Sequence, residues 1–261
     1  MRTMRGYINK SEIRMFLIFG IMLIPMAVLF YQQELSLGII SSYPLFILLV
    51  LMLIGANIEI PVSSFKSRKP QSLERDAIIL EEIYSVPLVK DVSSSMKLAF
   101  NTVVTLNLGG FIIPFIMMLF LIVFQPDFVG LEIMLIMIVA ATLLSDFVNG
   151  IGVVMPDYIG LLAVPFALIF APENAAAVTF VAGVGGILLG NLTGLVMVDR
   201  ENKGSAFINL GGVGSFKAVY VTAIVAALIS CIAKLMVAKS TANEVMSFPN
   251  IKSRISLCSF S

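Results

Sequence analysis

The chain has 261 residues, of which 59% are hydrophobic and 13% charged, with a formal net charge of +1 and a mean hydropathy of +1.01. An ordinary soluble domain carries about 25% charged residues, so the charges here are too few to cover a water-facing surface. The near-neutral balance gives no case for nucleic acid, and the absence of histidine excludes histidine-ligated zinc or haem, Ser-His-Asp chemistry and histidine proton relays.

The two cysteines, Cys231 and Cys258, show no metal or redox spacing. No cofactor or metal site is expected. Apolar runs of this length predict membrane-crossing helices, because a helix satisfies its own backbone in lipid. A barrel would show short alternating segments instead. The expected fold is all-α: a polytopic transmembrane helical bundle forming one integral-membrane domain over 1–238, with a polar tail over 239–261.

In chain order, Arg2, Arg5, Lys10 and Arg14 precede a first apolar span over 15–31. No small-residue cleavage pattern follows it, so it reads as an uncleaved helix with a cytoplasmic N-terminus. The second span covers 36–57. Residues 58–97 hold six basic residues (Lys66, Arg68, Lys69, Arg75, Lys90 and Lys97) and six acidic ones. The basic ones predict a cytoplasmic loop, and the apolar spacing over 72–86 predicts a short helix on the membrane surface.

The third span, 98–124, contains Asn101, Thr102, Thr105 and Asn107. The fourth, 131–149, contains Asp146 and leads into a break, NGIGVVMPD, over 149–157. The fifth, 158–171, is short and interrupted by Pro165. In the sixth, 174–198, Gly186, Gly190 and Gly194 recur every fourth residue, and Ala182 extends the row. Such a row lets another backbone approach closely, so these three glycines are helix-packing residues, inside the chain or against a protein partner or second copy. The stretch 205–216 is glycine-rich and polar, expected to be irregular or re-entrant before a last helix over 217–237. Seven spans result. Lys239, Lys252 and Arg254 then fall outside, against the positive-inside rule, so six or eight spans stay open.

The candidate polar site inside the membrane comprises Asp146, Asn191, Lys217 and Asn107. An acid in an apolar span costs about 2.5–3.5 kcal/mol on insertion scales, so Asp146 needs a partner or water. It is placed either in a cavity with Lys217 or simply wetted near the end of its span. Lys217 suits an anion near the free amides of 211–215, or snorkels to the interface. Asn191, Thr193, Asn209, Asn101, Thr105 and Asn107 line a pathway or hold helices together. The Gly-Gly-Val-Gly-Ser element at 211–215 meets neither phosphate-loop nor dinucleotide spacing.

The runs NLGGFIIPFIM (107–117), NGIGVVMPDYIGLLAVPF (149–166), the glycine helix and NLGGVGSFKAVYVTAIVAAL (209–228) together resemble a prokaryotic, largely archaeal, integral-membrane family catalogued as domain of unknown function 1614. The resemblance covers roughly residues 35–235. In that family an Asp often stands in the glycine helix and another follows the Phe of the Gly-Gly element. Here those positions hold Asn191 and Lys217. The resemblance implies class and a cell-membrane location, not an activity.

Three readings follow. Transport or the handling of a small solute or ion draws on the broken helices near 152–156 and 211–214, although no convincing internal repeat supports it. A non-catalytic scaffold or partner subunit draws on the loop 58–97. An inactive relative of intramembrane aspartyl proteases follows from the missing pair of carboxylates. None assigns catalytic residues.

Overall fold

The computed structural model describes residues 10–68, 79, 99–148, 152–197, 207–212 and 214–247. Most of them are helical. The helices are α1 (Lys10–Tyr31), α2 (Ser42–Gly55), α3 (Leu108–Phe124), α4 (Phe128–Leu144), α5 (Ile159–Phe170), α6 (Pro172–Val196) and α7 (Phe216–Ser247). The strands are β1 (Glu59–Arg68), β2 (Ala99–Asn107), β3 (Asp146–Val148), β4 (Gly152–Val154) and β5 (Phe207–Leu210).

The helical majority agrees with the all-α expectation, and strands change the local reading at three places. Residues 59–68 are β1 rather than loop, and 99–107 are β2 rather than the first third of a span. The run Thr102-Val103-Val104-Thr105 is β-branched throughout, which favours a pleated surface over a helix. It finds partners on both sides: β1 pairs with it antiparallel and β5 parallel, in the order β1-β2-β5. Pro61 stands at a register shift in the edge strand β1, where its missing N–H is tolerated. Third, Asp146 belongs to no helix. It opens β3, paired with Val154 in the hairpin β3-β4, because α4 stops at Leu144. The interfacial helix expected over 72–86 lies outside the described residues except for Ile79, which is helical. The last helix runs to Ser247, nine residues into the expected tail (239–247).

Helix α6 is the centre of the molecule. Its Gly186 and Gly190 face Met137 and Ala141 of α4: a Cβ on Gly186 would lie 2.3 Å from the Met137 Cβ, and one on Gly190 2.6 Å from the Ala141 Cβ. Four residues separate the partners on both helices, so α4 and α6 run parallel with one face matched turn for turn. Gly194 continues the row onto Val153 of β4, 3.4 Å from its Cγ1. The glycine face is thus covered within the chain.

Among the described residues two helices are long and apolar enough to cross a membrane, and they sit very differently. In α6, 89% of the apolar window is buried inside the molecule; in α1 (14–31) only 11% is. Helix α1 is held by Phe19, edge-on to Phe216 and Tyr220 of α7, and by the buried Met26. Pro165 lies in the first turn of the α-helical part of α5, which begins at Ala163 after a 3-10 turn over Ile159–Leu162, so its lost N–H breaks nothing.

The elements divide into two ends. At one, the connections 32–41, 125–127 and 171–174 meet. The Ile39 N–H donates to Gln125 Oε1 at 2.9 Å, Gln125 Nε2 to Asn174 Oδ1 at 3.3 Å, and Asn174 Nδ2 to Asp127 Oδ2 at 3.4 Å. At the other end lie the five strands of the described residues and the turn that follows β5.

Candidate functional site at the strand end

Asn107 closes β2 and starts α3. Its Oδ1 accepts from the Gly110 N–H at 2.8 Å, and its Nδ2 donates to the Ala56 carbonyl at 2.6 Å. One amide therefore caps the first turn of α3, a π turn over Leu108–Ile112, and clamps it to the end of α2. The clamp requires bare backbone: a Cβ on Gly109 would lie 2.0 Å from the Met52 carbonyl oxygen, and one on Gly110 1.9 Å from the Gly211 oxygen.

Gly211 belongs to the turn after β5. Its φ of +76° and that of Gly214, +101°, are left-handed conformations that favour glycine. The turn is fixed on its far side by β4, where the Met155 N–H donates to the Gly214 carbonyl at 3.1 Å. Phe216 then begins α7.

The side chains around this turn are polar and buried. Asn209, 7% exposed, faces Thr105, 6% exposed, as its register partner on β2. Asn209 Nδ2 donates to Glu59 Oε1 of β1, across the intervening strand. Gly212 folds over the same amide, since a Cβ there would lie 2.2 Å from Asn209 Nδ2. Asn209 Oδ1, Thr105 Oγ1 and the Ser215 hydroxyl have no hydrogen-bond partner among the described residues.

Asn191 lies nearby. Gly183 of α6 meets Thr222 of α7, and the two helices run in opposite directions, so eight residues along α6 brings Asn191 level with Gly214. Gly194, one turn further, and Gly214 both lean on Val153. Asn191 is 1% exposed and neither atom of its amide has a partner among the described residues. Each buried polar group left unpaired costs about 1–3 kcal/mol.

The other two candidates sit at the rim. Lys217 pairs with Asp157 at 3.5 Å, both half-exposed, and Asp146 is exposed on β3. Lys217 thus finds its carboxylate on the turn before α5. The structure brings Asn107, Asn191 and the 211–215 turn to one end and leaves Asp146 and Lys217 in solvent reach. Sequence reasoning missed Glu59, placed in a loop, and Ser215, hidden in a glycine-rich run. No local signal marks Glu59, whose partner lies 150 residues away; the tetrapeptide Asn-Leu-Gly-Gly, at 107–110 and again at 209–212, marks the turn that leads to Ser215.

Fold and site define a mostly helical chain with a small sheet and a glycine-lined polar junction at one end. Comparison with family profiles places it further: residues 53–229, more than half of the chain, match the family described as "Protein of unknown function (DUF1614)". The chain belongs to that family. No curated protein and no solved structure is significantly similar to it.

Proposed function

We propose that the protein is a multi-pass membrane protein that handles a small solute or ion at the strand end, with that end in the cytoplasm. The observation that carries the membrane part is α1, whose window has a mean hydropathy of 2.1 and is 11% buried. Leu17, Ile18, Ile21, Ile24 and Val28 on α1 are exposed, as are Ile47 on α2, Val123 on α3, Leu135 and Val139 on α4, and Ile169 on α5. An apolar girdle on five helices is what lipid tails cover.

Charge supports the orientation. The loop end carries Glu34, Asp127, Glu132 and Glu173, and no Lys or Arg stands between Arg14 and Lys66 or between Lys97 and Arg200. Among the described residues up to Lys217, the basic ones (Lys10, Arg14, Lys66, Arg68 and Lys217) stand at the strand end, the side that the positive-inside rule assigns to the cytoplasm.

Solute handling rests on Asn191. A buried amide with two unpaired atoms, at the same end of the molecule as the unpaired Ser215 hydroxyl, suits a polar occupant. A hydrolytic reading has less support: Asn191 and Lys217 replace the acids that the family resemblance implies. In proteoliposomes loaded with sodium- and proton-sensitive dyes, the wild-type chain should pass ions faster than empty vesicles, and Asn191→Leu should abolish the excess. Flux equal to empty vesicles would sink this reading in favour of a partner subunit. Release of the chain from membranes by alkaline carbonate would sink the membrane part.

A further inference from the structure

Three oxygen-bearing side chains share one face of the sheet. Thr105 and Asn209 are parallel register partners, and such neighbours stand about 4.8 Å apart. Glu59, opposite Asn107 on the far strand, reaches across β2 to accept from Asn209 Nδ2. A carboxylate only accepts, so this bond fixes the amide orientation and leaves Asn209 Oδ1 outside the bond. Oδ1 and Thr105 Oγ1 are both buried and without a partner among the described residues. Gly212 presses on the amide from above and prevents it from swinging out.

We infer that Asn209 Oδ1, Thr105 Oγ1 and the Glu59 carboxylate hold one small monovalent cation of the sodium type. Hard oxygen ligands select alkali and alkaline-earth ions over soft metals. A single carboxylate among neutral oxygens suits one positive charge, whereas divalent sites gather more acids, and no cluster of three such ligands exists among the described residues. Glu59 makes other contacts as well; its two oxygens have about four lone-pair directions, so ligation does not require it to be otherwise free. This inference rests on the reading of the strand end as a solute site and names the solute.

The test is thermal unfolding of the full chain in detergent, in sodium, potassium and choline chloride at equal ionic strength. Sodium should raise Tm by roughly 3 °C over choline, as a ligand that binds only the folded state does. Thr105→Val, which keeps the side-chain volume, and Glu59→Gln should remove the increment. Asn209→Asp should enlarge it, because two facing carboxylates need a cation between them. Equal Tm in the three salts would overturn the inference and leave a buried water there. An increment that survives in Thr105→Val would also overturn it, by placing sodium elsewhere. If Glu59→Gln fails to fold, Thr105→Val alone decides. No gradient exists in detergent, so a sodium increment without vesicle flux keeps the site and discards transport, and flux without an increment does the reverse.

Discussion

The tetrapeptide Asn-Leu-Gly-Gly ends two neighbouring parallel strands of the same sheet and does different work in each. At 107–110 the chain turns directly into α3, and Asn107 spends its whole amide on the backbone, capping Gly110 and clamping Ala56. At 209–212 the left-handed Gly211 turns the chain away, and four more residues pass before α7 begins at Phe216. Gly212 N–H makes no capping bond to Asn209 Oδ1, and Asn209 gives one hydrogen bond to Glu59 and keeps an unpaired oxygen. The two copies touch through Gly110 and Gly211. One is scaffold and the other carries the proposed site, and the left-handed Gly211 separates them.

That comparison is open to experiment. The largest effect is expected at Gly109. Its Cβ would meet the Met52 carbonyl and the Ala56 nitrogen, both backbone, so Gly109→Ala should cost about 3 kcal/mol or more, or abolish folding. Gly212→Ala meets a side chain instead and should cost about 1–2 kcal/mol, while erasing any sodium dependence. Unfolding in detergent ranks the pair, and equal losses would break the division into scaffold and site.

Next in size, Asn107→Ala removes a cap and leaves the Ala56 carbonyl without its amide, about 2 kcal/mol. Asn209→Ala should cost about half of that, since one bond is lost. Asn191→Leu should leave Tm unchanged or raise it, because it deletes two unpaired buried atoms; a loss above about 1 kcal/mol would mean that the amide is satisfied after all. The smallest effect belongs to the Lys217–Asp157 pair. It is half-exposed, so Lys217→Met should change stability by about 0.5 kcal/mol or less, screened further by salt. A larger change would make the rim part of the junction.

Much of the helical frame was legible. The apolar runs marked α1, α2, α4, α5 and α6, with ends displaced by up to about six residues, since hydropathy and length are properties of the run alone. The β2 segment was not. Residues 99–107 are apolar enough to extend the following helix, and only the partners β1 and β5, about forty and one hundred residues away, make a strand of them. The same limit applied to the candidates. For Asp146 the sequence leaves open a cavity or a wetted end of its span; α4 ends two residues earlier and Asp146 is exposed, which agrees with the wetted end. Lys217 was matched with Asp146 on composition, whereas the turn before α5 delivers Asp157 to it.

The sequence by itself determined the composition class, the positions of the apolar helices and the glycine row, because each depends on local spacing and on how little charge is available. Only the tertiary structure decided what the row packs against, that Glu59 and Asn209 meet across a strand, and which of two identical tetrapeptides keeps a free oxygen. Those outcomes depend on backbone conformation and on partners distant in the chain, and a buried polar atom is left unpaired or satisfied only once all its neighbours are in place.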